Sequence, residues 1–106
     1  MTPSFSLLYT TFPNEEEAVR ISRDLLEKRL IACANILGET KSLYFWAEKL
    51  EESKEISVFL KTTRENIFEV IKTLQSLHSY ETPAILEIPV EFGSEPFLNW
   101  VRESVR

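Results

Sequence analysis

The chain has a single histidine, and it falls within His78-Ser79-Tyr80-Glu81-Thr82-Pro83. Imidazole, phenol, carboxylate and a chain-stiffening proline thus share six residues. Histidine titrates near neutrality and is the commonest metal ligand, and a carboxylate three residues on adds a hard oxygen donor. Cys33, the only cysteine, is a soft donor suited to Cu(I). Together these side chains could do metal chemistry, with His78, Glu81 and Cys33 as ligands. One thiol and one imidazole fall short of the four ligands of a structural zinc site, so such a centre would draw donors from neighbouring copies. Each residue also has a structural use. Cys33 suits a small buried position, and His78 could cap the carbonyls of a preceding helix. Tyr80 and Glu81 could lock an interface. A Cys33–His78 nucleophilic pair has nothing in the sequence to depress the thiol pKa or orient the imidazole.

The elements that must position these groups follow from hydrophobic spacing. Residues 5–12 are aromatic and β-branched and stop at Pro13, which predicts a strand. Asn14 followed by Glu15, Glu16 and Glu17 marks a helix start, and Ala18, Ile21 and Leu25 then share one helical face, flanked by Leu26 and Leu30. Residues 32–37 suit a buried strand and 42–46 a second one after an irregularity at Gly38. With 56–61 they predict a hairpin over 40–62 whose charged tip discourages edge-to-edge association. Thr62 and Glu65 have capping-box spacing ahead of the stripe Ile67, Val70, Ile71, Leu74 and Leu77. Beyond the histidine, Ala84, Leu86, Ile88, Val90 and Phe92 alternate with Ile85, Glu87, Pro89 and Glu91. This predicts a strand with one buried face, placed at an edge or bulge by Pro89. Pro96 opens a last helix carrying Phe97, Leu98, Trp100, Val101 and Val105.

The order βαβ, hairpin, αβ, helix defines an α+β fold over residues 1–106 as one domain, a ferredoxin-like βαββαβ sandwich with a long hairpin and a C-terminal helix. Both helices would cover one sheet face. The other would carry some of Leu8, Phe12, Leu43, Phe45, Phe59 and Ile85, and self-association is its simplest cover. Tyr44, Trp46 and Trp100 fit subunit packing. Lys61 would stand beside the histidine cleft, neutralising Glu81 or binding an anion.

The net charge of −5 and the absence of a basic run leave no source for the counterion release behind nucleic-acid binding. No run approaches the roughly 20 apolar residues of a membrane span. A lone cysteine suits the reducing cytoplasm, and Met1-Thr2-Pro3-Ser4 lacks the features of a signal peptide. The expected location is cytoplasmic.

Five segments in order (Ala32-Cys33-Ala34-Asn35-Ile36, Ser42-Leu43-Tyr44-Phe45-Trp46, Leu60-Lys61-Thr62-Thr63, His78-x-Tyr80-Glu81-x-Pro83 and Asn99-Trp100) resemble those of the CutA-type divalent-cation-tolerance proteins over roughly residues 5–104. The resemblance implies a homotrimer built through long hairpins, kinship with PII signalling proteins, association with copper and other divalent metals, and no enzymatic activity. It also leaves open a small ligand or partner protein in the clefts between subunits. The chain departs from the pattern at Ala47-Glu48-Lys49, where the family has glycine in the turn. It also has Tyr9 and Leu77 where copper-associated members carry a thiol and a second histidine, and Ser79 where proline is usual.

Overall fold

The computed structural model describes residues 4–106. In chain order the elements are β1 (Phe5–Phe12), α1 (Glu15–Glu27), β2 (Cys33–Trp46), β3 (Lys49–Thr63), a 3₁₀ turn (Arg64–Asn66), α2 (Ile67–Leu77), β4 (Ile85–Val90) and α3 (Glu95–Ser104). The four-stranded sheet has the order β2-β3-β1-β4, antiparallel at every pairing. This is the ferredoxin-like sandwich expected from the order of elements.

α1 starts where the sequence places it. Asn14 is extended, and its side-chain oxygen accepts from the Glu17 amide at 2.8 Å, which satisfies one of the orphan donors of the first turn. Its stripe of Ala18, Ile21 and Leu25 packs with Ile67, Val70 and Leu74 of α2 onto Leu8, Phe12, Val58 and Leu60 of the sheet. Full burial of a Leu, Val or Phe side chain stabilises by roughly 1.5–3 kcal/mol, so this layer is the main source of stability. The capping box at Thr62 does not form. Thr62 Oγ1 instead donates to Leu30 O at 2.7 Å, tying β3 to the end of α1, and α2 is entered through the 3₁₀ turn.

The apolar strand faces differ from expectation. Leu8, Phe12 and Ile85 belong to the helix-covered core. On β4 it is Ile85 and Glu87 that turn inward, while Leu86 and Ile88 face out, opposite Tyr9 and Leu7 of β1. The outer face therefore carries Leu7, Tyr9, Phe59, Leu86 and Ile88, with Tyr9 and Phe59 edge-to-face at 5.8 Å. α3 covers one end of it, closing a small cluster of Phe5, Ala32 and Val101. β4 is an edge strand, as Pro89 requires.

β2 is one continuous strand where two were expected. Its pairing with β3 shifts between Ile36 and Gly38, and Gly38 at φ 96° adopts a conformation open to a residue without Cβ. Beyond this bulge the two strands leave the sheet as a twisted arm, which gives the molecule its 45 Å long axis. The arm ends in a two-residue turn at Ala47 (φ 51°) and Glu48 (φ 66°). Hairpin twist demands positive φ at both positions. Without glycine this strains the turn by roughly 1–2 kcal/mol per residue.

Strand alternation gives the arm two distinct faces. Phe45 pairs with Leu50 and Leu43 with Glu52 on the side that continues the helix-covered face. The arm outruns the helices, so Leu43, Phe45 and Leu50 are left 65, 74 and 68% exposed. The opposite side carries Tyr44 and Trp46 with Glu51 and Glu55, and turns towards the segment that follows α2.

Candidate functional site: the cleft beneath the arm

α2 ends at Leu77, and His78 turns the chain into an extended conformation. The His78 side chain is fully buried, with its ring stacked on Phe12 at 4.7 Å and 10° between planes. Nε2 lies 2.7 Å from Thr11 O. A carbonyl only accepts, so Nε2 carries the hydrogen and donates it. Nδ1 accepts from the Tyr80 amide at 3.1 Å. The network thus assigns the neutral Nε2–H tautomer, with both ring nitrogens engaged. Glu17 Oε2 stands 3.6 Å from Nδ1, which in this tautomer is neither a hydrogen bond nor an ion pair. That carboxylate oxygen accepts instead from the Ser79 amide at 3.1 Å and the Ser79 hydroxyl at 3.0 Å. α1 and β1 therefore clamp residues 78–80 from two sides.

The clamp presents Tyr80 and Glu81 to the arm. A cavity of about 430 Å³ opens there, lined by Tyr44, Trp46 and Tyr80 and by Glu51, Glu55 and Glu81. Glu55 is tied to β1, since its Oε2 accepts from Thr11 Oγ1 at 3.1 Å, and its carboxylate lies near enough to the Tyr80 phenol to act on it. Burial first, and then Glu55, pushes the Tyr80 phenol up to about 12. The folded value lies above the ordinary one of about 10. Its stabilising contribution is therefore intact below pH about 10 and is lost as pH rises towards 12. Ultraviolet titration of the protein against Tyr80→Phe is expected to show one phenol ionising near 12, moving partly back in Glu55→Gln.

The structure does not bring His78, Glu81 and Cys33 together. Cys33 pairs with Lys61 on the outer face at the opposite end of β3 from Glu55, whereas His78 sits against Phe12 of the inner core. Burial pushes the Cys33 thiol up, against the pull of Lys61, which disfavours the thiolate that binds metal. Among the described residues no group of three or more His, Cys, Asp or Glu side chains is set to hold a metal ion. Lys61 is not beside Glu81 as expected. Its ammonium lies 5.3 Å from the centre of the Phe97 ring on α3. Trp100 lies against that same ring at 5.6 Å, tilted by 34°, away from the cleft, while Tyr44, Trp46 and Tyr80 line the cleft.

Sequence reasoning missed Glu17, Glu51 and Glu55. Glu17 stands out in the sequence only as a capping residue, and Glu51 and Glu55 only as part of a charged tip that discourages edge-to-edge association. The available signal was the period of two: Glu51, Ser53 and Glu55 fall on one strand face, opposite Tyr44 and Ser42.

An antiparallel sheet with helices on one face, a protruding two-stranded arm and an acidic, aromatic-lined cleft beneath it define an α+β protein of the ferredoxin-like class. Residues 6–104 match the model of the family described as CutA1 divalent ion tolerance protein. The chain is 50% identical over 99 residues to the divalent-cation tolerance protein CutA of Thermotoga maritima, covering 93% of this chain and 97% of that one. It superimposes on the structure of the periplasmic divalent cation tolerance protein CutA from Archaeoglobus fulgidus with a TM-score of 0.93 at 42% identity, over 96 and 99% of the two chains. With the stable protein CutA1 from the psychrotrophic bacterium Shewanella sp. SIB1 the TM-score is 0.95 at 28% identity, over 99 and 98%. The chain belongs to the CutA1 divalent ion tolerance family.

Proposed function

We propose that this CutA-family protein is a cytoplasmic, non-enzymatic homotrimer that binds divalent cations weakly, at sites completed between subunits, and that binding alters the cleft without turnover. The observation that carries this reading is the cleft's lining: Glu51, Glu55 and Glu81 surround it, and among the described residues no lysine or arginine lines it. Carboxylate oxygens attract hard cations. Glu81, which is exposed, is the ligand free to reach across to a neighbouring copy. Copper suits a site in which His78 and Cys33 are ligands. With both imidazole nitrogens bonded within the chain, an oxygen-rich site favours a harder divalent ion such as Mn²⁺ over Cu(I). An anionic metabolite, the alternative that rested on Lys61, would meet only negative charge here.

Among the described residues no helix is long and apolar enough to cross a membrane, and a cytoplasmic location is consistent with the single thiol. Calorimetric titration of Mn²⁺ and Cu²⁺ into the protein and into Glu81→Gln tests the metal reading. Loss of one carboxylate is expected to weaken binding about tenfold, since affinity at oxygen sites follows ligand charge. Superimposable isotherms would remove Glu81 from the site.

A further inference from the structure

The cleft's aromatic residues have no part in the metal reading. Tyr44, Trp46 and Tyr80 share the lining with the three glutamates, and a divalent metal gains nothing from aromatic rings. Within one chain no three such donors converge among the described residues, which is why the metal reading draws on a neighbouring copy and leaves most of this lining unused. The carboxylates instead stand around a volume of about 430 Å³, within the range of about 300–1,000 Å³ typical of small-molecule sites. Negative charge spread around a space, with aromatic side chains between, suits a cation whose own charge is spread and poorly hydrated. Alkylated ammonium ions are held in this way, by the ring quadrupoles together with nearby carboxylates.

We infer that the cleft beneath the arm binds a small alkylated ammonium ion, held by Tyr44, Trp46 and Tyr80 and balanced by Glu51, Glu55 and Glu81. Glu55 is preorganised for this, because Thr11 holds its carboxylate before any ligand arrives. The clamp on His78 fixes the backbone that carries Tyr80. Tyr44 and Trp46 lie on the cleft face of the arm, not on the face of Leu43, Phe45 and Leu50 that needs a protein partner.

The chain has two tryptophans, and Trp100 is outside the cleft, so Trp100→Phe leaves Trp46 as a local fluorescence reporter. The probe is tetramethylammonium chloride, added in EDTA to keep metals out. Sodium chloride at equal ionic strength controls for charge, and tert-butanol for shape. Tetramethylammonium is expected to shift Trp46 emission saturably, with a Kd of about 1 mM or tighter. Sodium should give no saturable change, and tert-butanol should bind at least about tenfold more weakly. Glu55→Gln and Tyr44→Leu should each weaken binding by about threefold or more. Calorimetry on the unsubstituted protein repeats the measurement without relying on any variant. A response that does not saturate, or one shared equally by tert-butanol, overturns the inference. Because metal is absent throughout, either result leaves the divalent-cation reading to its own titration.

Discussion

Replacing His78 by alanine is expected to lower the unfolding free energy by about 3–5 kcal/mol, the range for deleting a fully buried aromatic side chain. Three losses combine. The ring stacked on Phe12 leaves a cavity in the core. Thr11 O loses the donor that reached it from His78 Nε2, and the Tyr80 amide loses its acceptor. A buried polar group left unsatisfied costs roughly 1–3 kcal/mol. Guanidinium denaturation at fixed protein concentration, followed by far-ultraviolet circular dichroism, reads the difference. His78→Gln keeps an amide N–H near the position of Nε2 and is expected to recover about 1–2 kcal/mol of the loss. A loss below about 1 kcal/mol in the alanine variant would mean that the ring is not the packed, doubly bonded group described. The substitution should also release Tyr80 from its clamp, so its phenol should ionise at lower pH than in the parent protein.

The second large effect concerns assembly. Leu43, Phe45 and Leu50 stand on the arm beyond the reach of α1 and α2, and they are mostly exposed among the described residues. Contiguous apolar surface of this kind marks a protein interface. In light scattering the parent protein is expected to give about three times the 12.4 kDa of one chain. The double variant Leu43→Glu, Phe45→Glu places two charges on that face without touching the cleft side or the core. It is expected to scatter near 12.4 kDa while keeping its circular dichroism spectrum. A parent mass already near that of one chain would end the trimer proposal, and a fully assembled double variant would move the interface off the arm.

Local patterns foretold much of this architecture because local physics sets it. The Asn14 cap, the stripe from Ala18 to Leu25 and the stripe from Ile67 to Leu74 are written in residues a few positions apart, and all three appear as read. The split βαβ order follows from connection rules that need no knowledge of partners. What failed was long-range or two-valued. The strand after Pro83 has apolar residues on both faces, so periodicity alone could not decide whether Ile85 or Leu86 turns inward. The break at Gly38 looked like a strand end and is a bulge, because a lone glycine marks either. Thr62 was free to cap a helix until Leu30 O, 32 residues away, took its hydroxyl. The histidine segment stood out from the sequence, but its role depends on Thr11, 67 residues distant. The cleft was legible only in part. Tyr80, Tyr44 and Trp46 stood out by type, whereas Glu51 and Glu55 were lost among the charges around them.

The sheet order also sets a problem of timing. β1 lies between β3 and β4, with Phe5 opposite both Thr63 and Val90. It is synthesised before either neighbour and has both available only once β4 has been made. Until then Phe5-Ser6-Leu7-Leu8-Tyr9-Thr10-Thr11-Phe12 is an uncharged, strand-forming octet of the sort that seeds intermolecular stacking. Its non-local pairing slows folding. The only early shelter is the apolar stripe of α1, which follows it at once. In the nascent protein, that helix is the strand's first guardian before it becomes a layer of the finished fold.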